Sequence, residues 1–206
     1  IEEGIVLREA GVRIPILVFG ALSVSDLDGL FPHDLTPTIS TPSAARALDA
    51  AAARHGRRLH CHLKIDTGMN RLGFRHDNLA ATLPEVAASP HLVIDAVYTH
   101  FATADDPEHP AFGQQRERFD AALGSLPDLG IPVRARHAAN SAAAIQRMMR
   151  SADALLRSAC VVHAAALPAD SGVALIAPRP VRARRPPDVL GHDPVLVEAQ
   201  ADGPVL

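Results

Sequence analysis

Three observations predict an α/β fold built from parallel βαβ units. Short apolar runs alternate with stretches of helical spacing from residue 1 to about residue 150. The run Arg58 to Asp66 is largely apolar in its second half, as suits a strand covered on both faces. The unusual polar residues lie in the loops that follow the apolar runs, where parallel barrels gather their active sites.

In order, Ile1 to Ala10 is expected to be helical, with Ile1 and Ile5 on one side and polar Glu9 ending the stripe. Ile16 to Phe19 reads as a buried strand closed by Gly20. Ser25 or Asp26 is a candidate cap for a short helix before Pro32. Leu35 to Ser40 is a second strand. Thr41 and Pro42 open an alanine-rich helix, threonine as N-cap and proline in the first turn, that runs to about His55 and stops at Gly56. Arg58 to Asp66 is a third strand. A helix is expected over Asn78 to Ala88, disturbed by Pro84. Leu92 to His100 is a fourth strand, followed by an acidic loop from Ala102 to Pro110. Ala111 to Leu126 is a long helix with polar Gln114, Gln115, Arg118 and Asp120. Val133 to His137 is a fifth strand, and Asn140 to about Arg150 the next helix. A complete barrel needs eight strands in about 250 residues. The five strands counted here fall short of that, so the expected architecture is part of a TIM-like (β/α)8 barrel unable to close its sheet. The resemblance given below implies that it is truncated at the N-terminus and divergent at the C-terminus.

The character of the chain changes past Arg150. No Phe, Trp or Tyr occurs after Phe119, and Pro178 to Pro187 holds four prolines and four arginines. Such a stretch cannot continue a helix or enter a sheet interior. Two segments follow: 1–156 as a barrel domain and 157–206 as a divergent, poorly ordered tail with weak helix or strand before Pro178.

Composition excludes several classes. Hydrophobic residues make up 48% and charged residues 21%, ordinary for a globular protein. A net charge of −3 exerts no general pull on nucleic acid. Cys61 and Cys160 do not form a disulfide framework, so a cytoplasmic location is expected. No apolar run approaches the roughly 20 residues needed to span a membrane. The chain opens Ile1-Glu2-Glu3-Gly4 without a methionine and reads as starting within a domain. His60 and His62 alternate on one strand face, but no third ligand is evident nearby, and no metal site is expected.

Three short segments carry the chemistry. The first is His62-Leu63-Lys64-Ile65-Asp66-Thr67-Gly68-Met69-Asn70-Arg71-Leu72-Gly73-Phe74, which holds the only lysine of the chain. Gly68 and Gly73 allow a tight loop, and Arg71 offers a planar fork to a carboxylate or phenolic oxygen. Taken alone, the segment also fits a buried strand, a turn and a surface arginine. The second is Ala96-Val97-Tyr98-Thr99-His100-Phe101-Ala102-Thr103-Ala104-Asp105, where His100 can donate or accept at a strand end, or simply cap it. The third is His137-Ala138-Ala139-Asn140-Ser141-Ala142-Ala143, a strand leading into a helix start. Free backbone donors and the helix dipole favour phosphate there, with Ser141 adding a hydroxyl; an ordinary N-cap is the simpler alternative.

Together and in this order, the three segments closely resemble the alanine racemases, which use pyridoxal phosphate (PLP). Leu7-Arg8-Glu9-Ala10-Gly11 and Pro15-Ile16-Leu17-Val18 extend the resemblance over roughly residues 1 to 156. The resemblance implies a homodimeric enzyme that interconverts L- and D-alanine, the latter for cell-wall peptidoglycan. It implies that Arg71 contacts cofactor and substrate carboxylate, and that His100 belongs to the cofactor's hydrogen-bond network. Asn140 and Ser141 are implied at the cofactor phosphate. Lys64 is implied as the neighbouring lysine that can be carbamylated and would then orient Arg71.

The chain also departs from that pattern. The family's Schiff-base lysine lies in an early strand that would precede residue 1. Its arginine facing the pyridine nitrogen is followed by a glycine, whereas here Arg157 is followed by Ser158-Ala159-Cys160. Its catalytic tyrosine comes from a second, β-rich domain across a dimer, and the only tyrosine here is Tyr98. The expectation is an inactive fragment of a racemase, with a frameshifted or degraded gene end after Leu156. The alternatives are a non-catalytic PLP-binding barrel protein and a racemase of another amino acid.

Overall fold

The computed structural model describes residues 1–20, 27–106 and 108–138, and the backbone of two further strands at Val162–Ala165 and Val197–Gln200. Helix α1, Glu2–Glu9, leads to strand β1, Ile16–Val18. A short 3-10 helix, Asp28–Leu30, precedes β2, Leu35–Ile39. Helix α2, Pro42–Arg54, starts at Thr41, whose hydroxyl accepts a hydrogen bond from the Ala44 amide at 3.1 Å. Its buried side is Ala44, Ala45, Leu48, Ala51 and Ala52, small residues that let the helix lie close on the sheet.

Strand β3, Leu59–Asp66, is followed by the two-residue β4, Phe74–Arg75. The helix expected over 78–88 is two short ones, α3 (Leu79–Thr82) and α4 (Pro84–Ala87). The break falls at Pro84, which has no amide hydrogen to continue the ladder and instead opens the second helix. Strand β5 is Leu92–Tyr98, helix α5 Pro110–Ser125, and strand β6 Ala135–His137, two residues shorter than expected at its start. Among the described residues no helix is long and apolar enough to cross a membrane.

The sheet runs β6-β5-β3-β2-β1 and continues through β8 (Val197–Gln200) to β7 (Val162–Ala165), with β4 beside β3. The pairings are parallel, and among the described residues they form a parallel α/β half-barrel sheet. Both β7 and β8 come from the segment expected to be a poorly ordered tail. The alternating Val197-Glu198-Ala199-Gln200 pairs with Ile16 and Leu17 of β1, covering a sheet edge that would otherwise hold unpaired backbone groups. The rest of 157–206, including the proline-arginine stretch, and the helix expected over 140–150 lie outside the described residues.

Side chains alternate across the sheet. Leu59, Cys61, Leu63 and Ile65 of β3 join Leu48, Val97, Phe119 and Leu126 in the main core under the helices. Burial pushes the Cys61 thiol far above its ordinary range, so it stays protonated and inert. The intervening positions of β3, His62 and Lys64, look to the opposite face, where Leu17, Phe19 and Tyr98 form a separate cluster.

Candidate functional site

The C-terminal end of β3 turns through an aspartate. Asp66 Oδ1 accepts hydrogen bonds from the amides of Gly68 (2.9 Å) and Asn70 (3.0 Å), closing a turn at the strand end. Gly73 has φ +123°, and a Cβ there would lie 2.8 Å from the Asp66 amide nitrogen. Only glycine permits that approach, and it brings Phe74 and Arg75 back beside Ile65 and Asp66. Arg71 stands exposed in the loop so formed.

The neighbouring strand β5 leaves the sheet alongside. Lys64 and Tyr98 are register partners, and just past the strand ends the hydroxyls of Thr67, three residues beyond Lys64, and Thr99, next after Tyr98, meet at 2.8 Å. The Thr99 amide donates to the His137 carbonyl of β6 at 3.3 Å. His100 follows, half-buried. The loops bearing Arg71 and His100 therefore start side by side at the same end of the sheet. Asn140 and Ser141 follow β6, the next strand over, but lie outside the described residues.

Helix α5 reaches over both loops. The Gln115 side-chain amide donates to Thr67 Oγ1 (3.1 Å) and to the His100 carbonyl (3.0 Å), while its oxygen accepts from the Ala102 amide (2.8 Å). Arg118 Nη1 donates to the Thr67 carbonyl at 3.0 Å. Neither residue was among the site residues expected from sequence. The signal was present in the spacing: Gln115 stands four before Phe119 and eight before Leu123, on the buried face of α5.

Beneath the loops lies a polar floor drawn from four strands. The Tyr98 hydroxyl is 3.0 Å from Thr38 Oγ1, and the Tyr98 ring stacks on His137 with centroids 4.6 Å apart and planes 7° apart. Lys64 Nζ sits 5.3 Å from the centroid of the same ring, in cation–π range. His62 Nδ1 and His137 Nε2 share a hydrogen bond of 3.1 Å, one donating and one accepting. Burial pushes His62 down to about 4, the Asp95 charge partly opposing it. Burial and the neighbouring His62 push His137 down to about 3. Both rings are neutral at physiological pH.

His60 and His62 do not act together. His60 pairs with Asp95 at 2.7 Å while His62 turns to His137, and no group of three or more His, Cys, Asp or Glu able to hold a metal occurs among the described residues. What the site presents is an exposed guanidinium and a half-buried imidazole on adjoining loops, above neutral polar groups and one buried ammonium. That combination suits a ligand carrying a carboxylate or phenolate.

A model described as the alanine racemase N-terminal domain matches residues 1–157. The alanine racemase of Carboxydothermus hydrogenoformans is 39% identical over 163 residues, covering 79% of this chain and 44% of that protein. That of Synechocystis sp. is 40% identical over 144 residues, covering 69% of this chain and 39% of the relative. Among solved structures, alanine racemase from D-cycloserine producing Streptomyces lavendulae matches with TM-score 0.65 and 30% identity, over 69% of this chain and 38% of that one. The Bacillus anthracis alanine racemase with bound L-Ala-P matches with TM-score 0.62 and 32% identity, over 69% and 37%. The chain thus spans about two fifths of the length of these relatives.

Proposed function

The chain belongs to the alanine racemase N-terminal domain family, and from that premise we propose that it forms the barrel side of a PLP site for racemising alanine. The observation that carries the reading is the pair of loops that start side by side at one end of β3 and β5, one carrying Arg71 and the other His100. PLP, when bound, supplies an electron sink that eases loss of a proton from the amino acid α-carbon.

The donor set fits the non-covalent contacts of that group. The Arg71 guanidinium is exposed on a loop whose backbone is held by Asp66, as recognition of a carboxylate or phenolic oxygen requires. His100 adds an imidazole on the adjoining loop, Ser141 is proposed at the phosphate, and Asn140 is proposed among the cofactor-binding residues. Lys64, buried with its Nζ 5.3 Å from the Tyr98 ring centroid, is proposed to support the loop that carries Arg71.

The covalent contact does not fit. Lys64 is the single lysine, and it is 2% exposed with its Nζ over the Tyr98 ring. Two-sided proton transfer also needs a base on each face of the substrate. Tyr98 is 2% exposed, stacked on His137 and bonded to Thr38, so it is not offered as the opposing base. These 206 residues alone are therefore proposed to bind PLP reversibly and not to turn over alanine at an enzymatic rate.

PLP absorbance titration, borohydride reduction with mass mapping, and a D-alanine assay test this. Expected are saturable binding weakened by Arg71→Ala, no stoichiometric label, and no D-alanine. Failure to bind PLP at all would overturn the reading. Stoichiometric labelling at Lys64, with turnover abolished by Lys64→Ala, would overturn its inactive part.

A further inference from the structure

We propose that Gln115 is a positioning residue whose side-chain amide couples the Arg71 loop to the His100 loop, so that the two loops hold or lose their geometry together. What this coupling serves rests on the reading of those loops as one side of a cofactor and substrate site; the coupling itself rests on hydrogen-bond geometry.

Gln115 is 1% exposed, yet its amide is polar at both ends. Its oxygen accepts from Ala102, one nitrogen donates to Thr67 and to His100, and both partner loops are served by one group. Thr67 opens the loop that carries Arg71; His100 and Ala102 open the other. The same side chain also packs on the first loop's glycine: a Cβ at Gly68 would meet Gln115 Cγ at 3.4 Å and Arg118 Nη1 at 3.1 Å. Arg118 adds a second tie to the Thr67 carbonyl from the next turn of the helix. Helix α5 is itself rooted in the core by Phe119, Ala122 and Leu123. A fixed core element thus holds two loops through one amide.

Only an amide of this length fits the pattern. Glutamate keeps the acceptor for Ala102 but faces the His100 carbonyl with a second oxygen. Methionine keeps the volume and loses every bond. Both leave buried donors and acceptors without partners.

The test is amide exchange of the full chain, read by mass spectrometry at residues 67–74 and 100–104, with α2 as the internal reference. PLP titration runs in parallel. In Gln115→Met and in Gln115→Glu near pH 8, exchange is expected to rise roughly tenfold or more in both loops, the cost of orphaned buried groups, with α2 unchanged. Near pH 5 the Gln115→Glu variant is expected to recover protection, because a buried carboxyl takes up its proton early and then donates. A packing role alone predicts that Met is tolerated and that no such pH-dependent recovery occurs. Loosening of one loop only, or of neither, overturns the coupling. Joint loosening in a chain that binds no PLP leaves the coupling standing and removes the cofactor reading instead.

Discussion

Lys64 and Tyr98 face each other across β3 and β5 as register partners, the ammonium 5.3 Å from the centre of the phenol ring. The ring receives the charge on one side of its environment and the His137 imidazole as a stacked neighbour. Lys64 is therefore a structural side chain of the interior. Removing it by Lys64→Ala deletes a long buried stem as well as a charge, and a loss of about 2–4 kcal/mol in denaturant stability is expected. Lys64→Met keeps most of the volume and is expected to lose roughly half as much or less. Equal losses would show that the charge and not the stem carries the contribution.

The same ring offers a second test. The Tyr98 hydroxyl and Thr38 Oγ1 are a buried pair at 3.0 Å. Tyr98→Phe is expected to cost about 1–2 kcal/mol because Thr38 is left without that partner. Thr38→Val made on top of Tyr98→Phe should then cost less than Thr38→Val alone. A double-mutant cycle with no coupling would place the hydroxyl's contribution elsewhere.

Stability should fall with acid through the histidine pair. His62 and His137 are held neutral by burial, at about 4 and about 3, whereas unfolded histidine titrates near 6.5. Below that ordinary value the unfolded chain binds more protons than the folded one, so acid favours unfolding. Each ring's contribution is fully present above about pH 6.5 and is lost as pH falls through about 4 for His62 and about 3 for His137; His62 alone accounts for a loss on the order of 3 kcal/mol. Urea midpoints measured across that window should show the slope. In a His62→Gln, His137→Phe double variant the slope should flatten; an unchanged slope would assign it to other groups.

Gly73 is the fourth test. Its φ of +123° and the 2.8 Å approach to the Asp66 amide exclude any side chain. Gly73→Ala is expected to lower stability by about 1–3 kcal/mol and to unpair Phe74 and Arg75 from β3. A melting temperature within error of the parent would show that the loop relaxes freely around the new methyl.

Much of this was readable along the chain and some was not. Strands β1, β3 and β5 announce themselves as apolar runs, and Thr41-Pro42 marks a helix start by residue chemistry alone. Local rules suffice there because each residue's preference agrees with its surroundings. Strand β4 was missed because it is two residues long and exists only through the fold-back at Gly73. The floor was missed for a different reason. Tyr98, His137, Thr38 and His62 meet through the register of four strands, including a register shift between Cys61 and His62, and no single strand's pattern encodes register. Gln115 was read as one of several polar helix residues, although its spacing to Phe119 already placed it inward.

The pairing of β1 with Val197–Gln200 also sets a timetable for the nascent chain. Ile16 leaves the ribosome roughly 180 residues before its partner Val197, and such long-range pairings form late. At ordinary translation speeds, roughly ten to forty seconds pass before that pairing can form. Of the described strands, β1 is thus the one that waits for a late neighbour, and a stall or early stop before Val197 would release a chain with this pairing unmade.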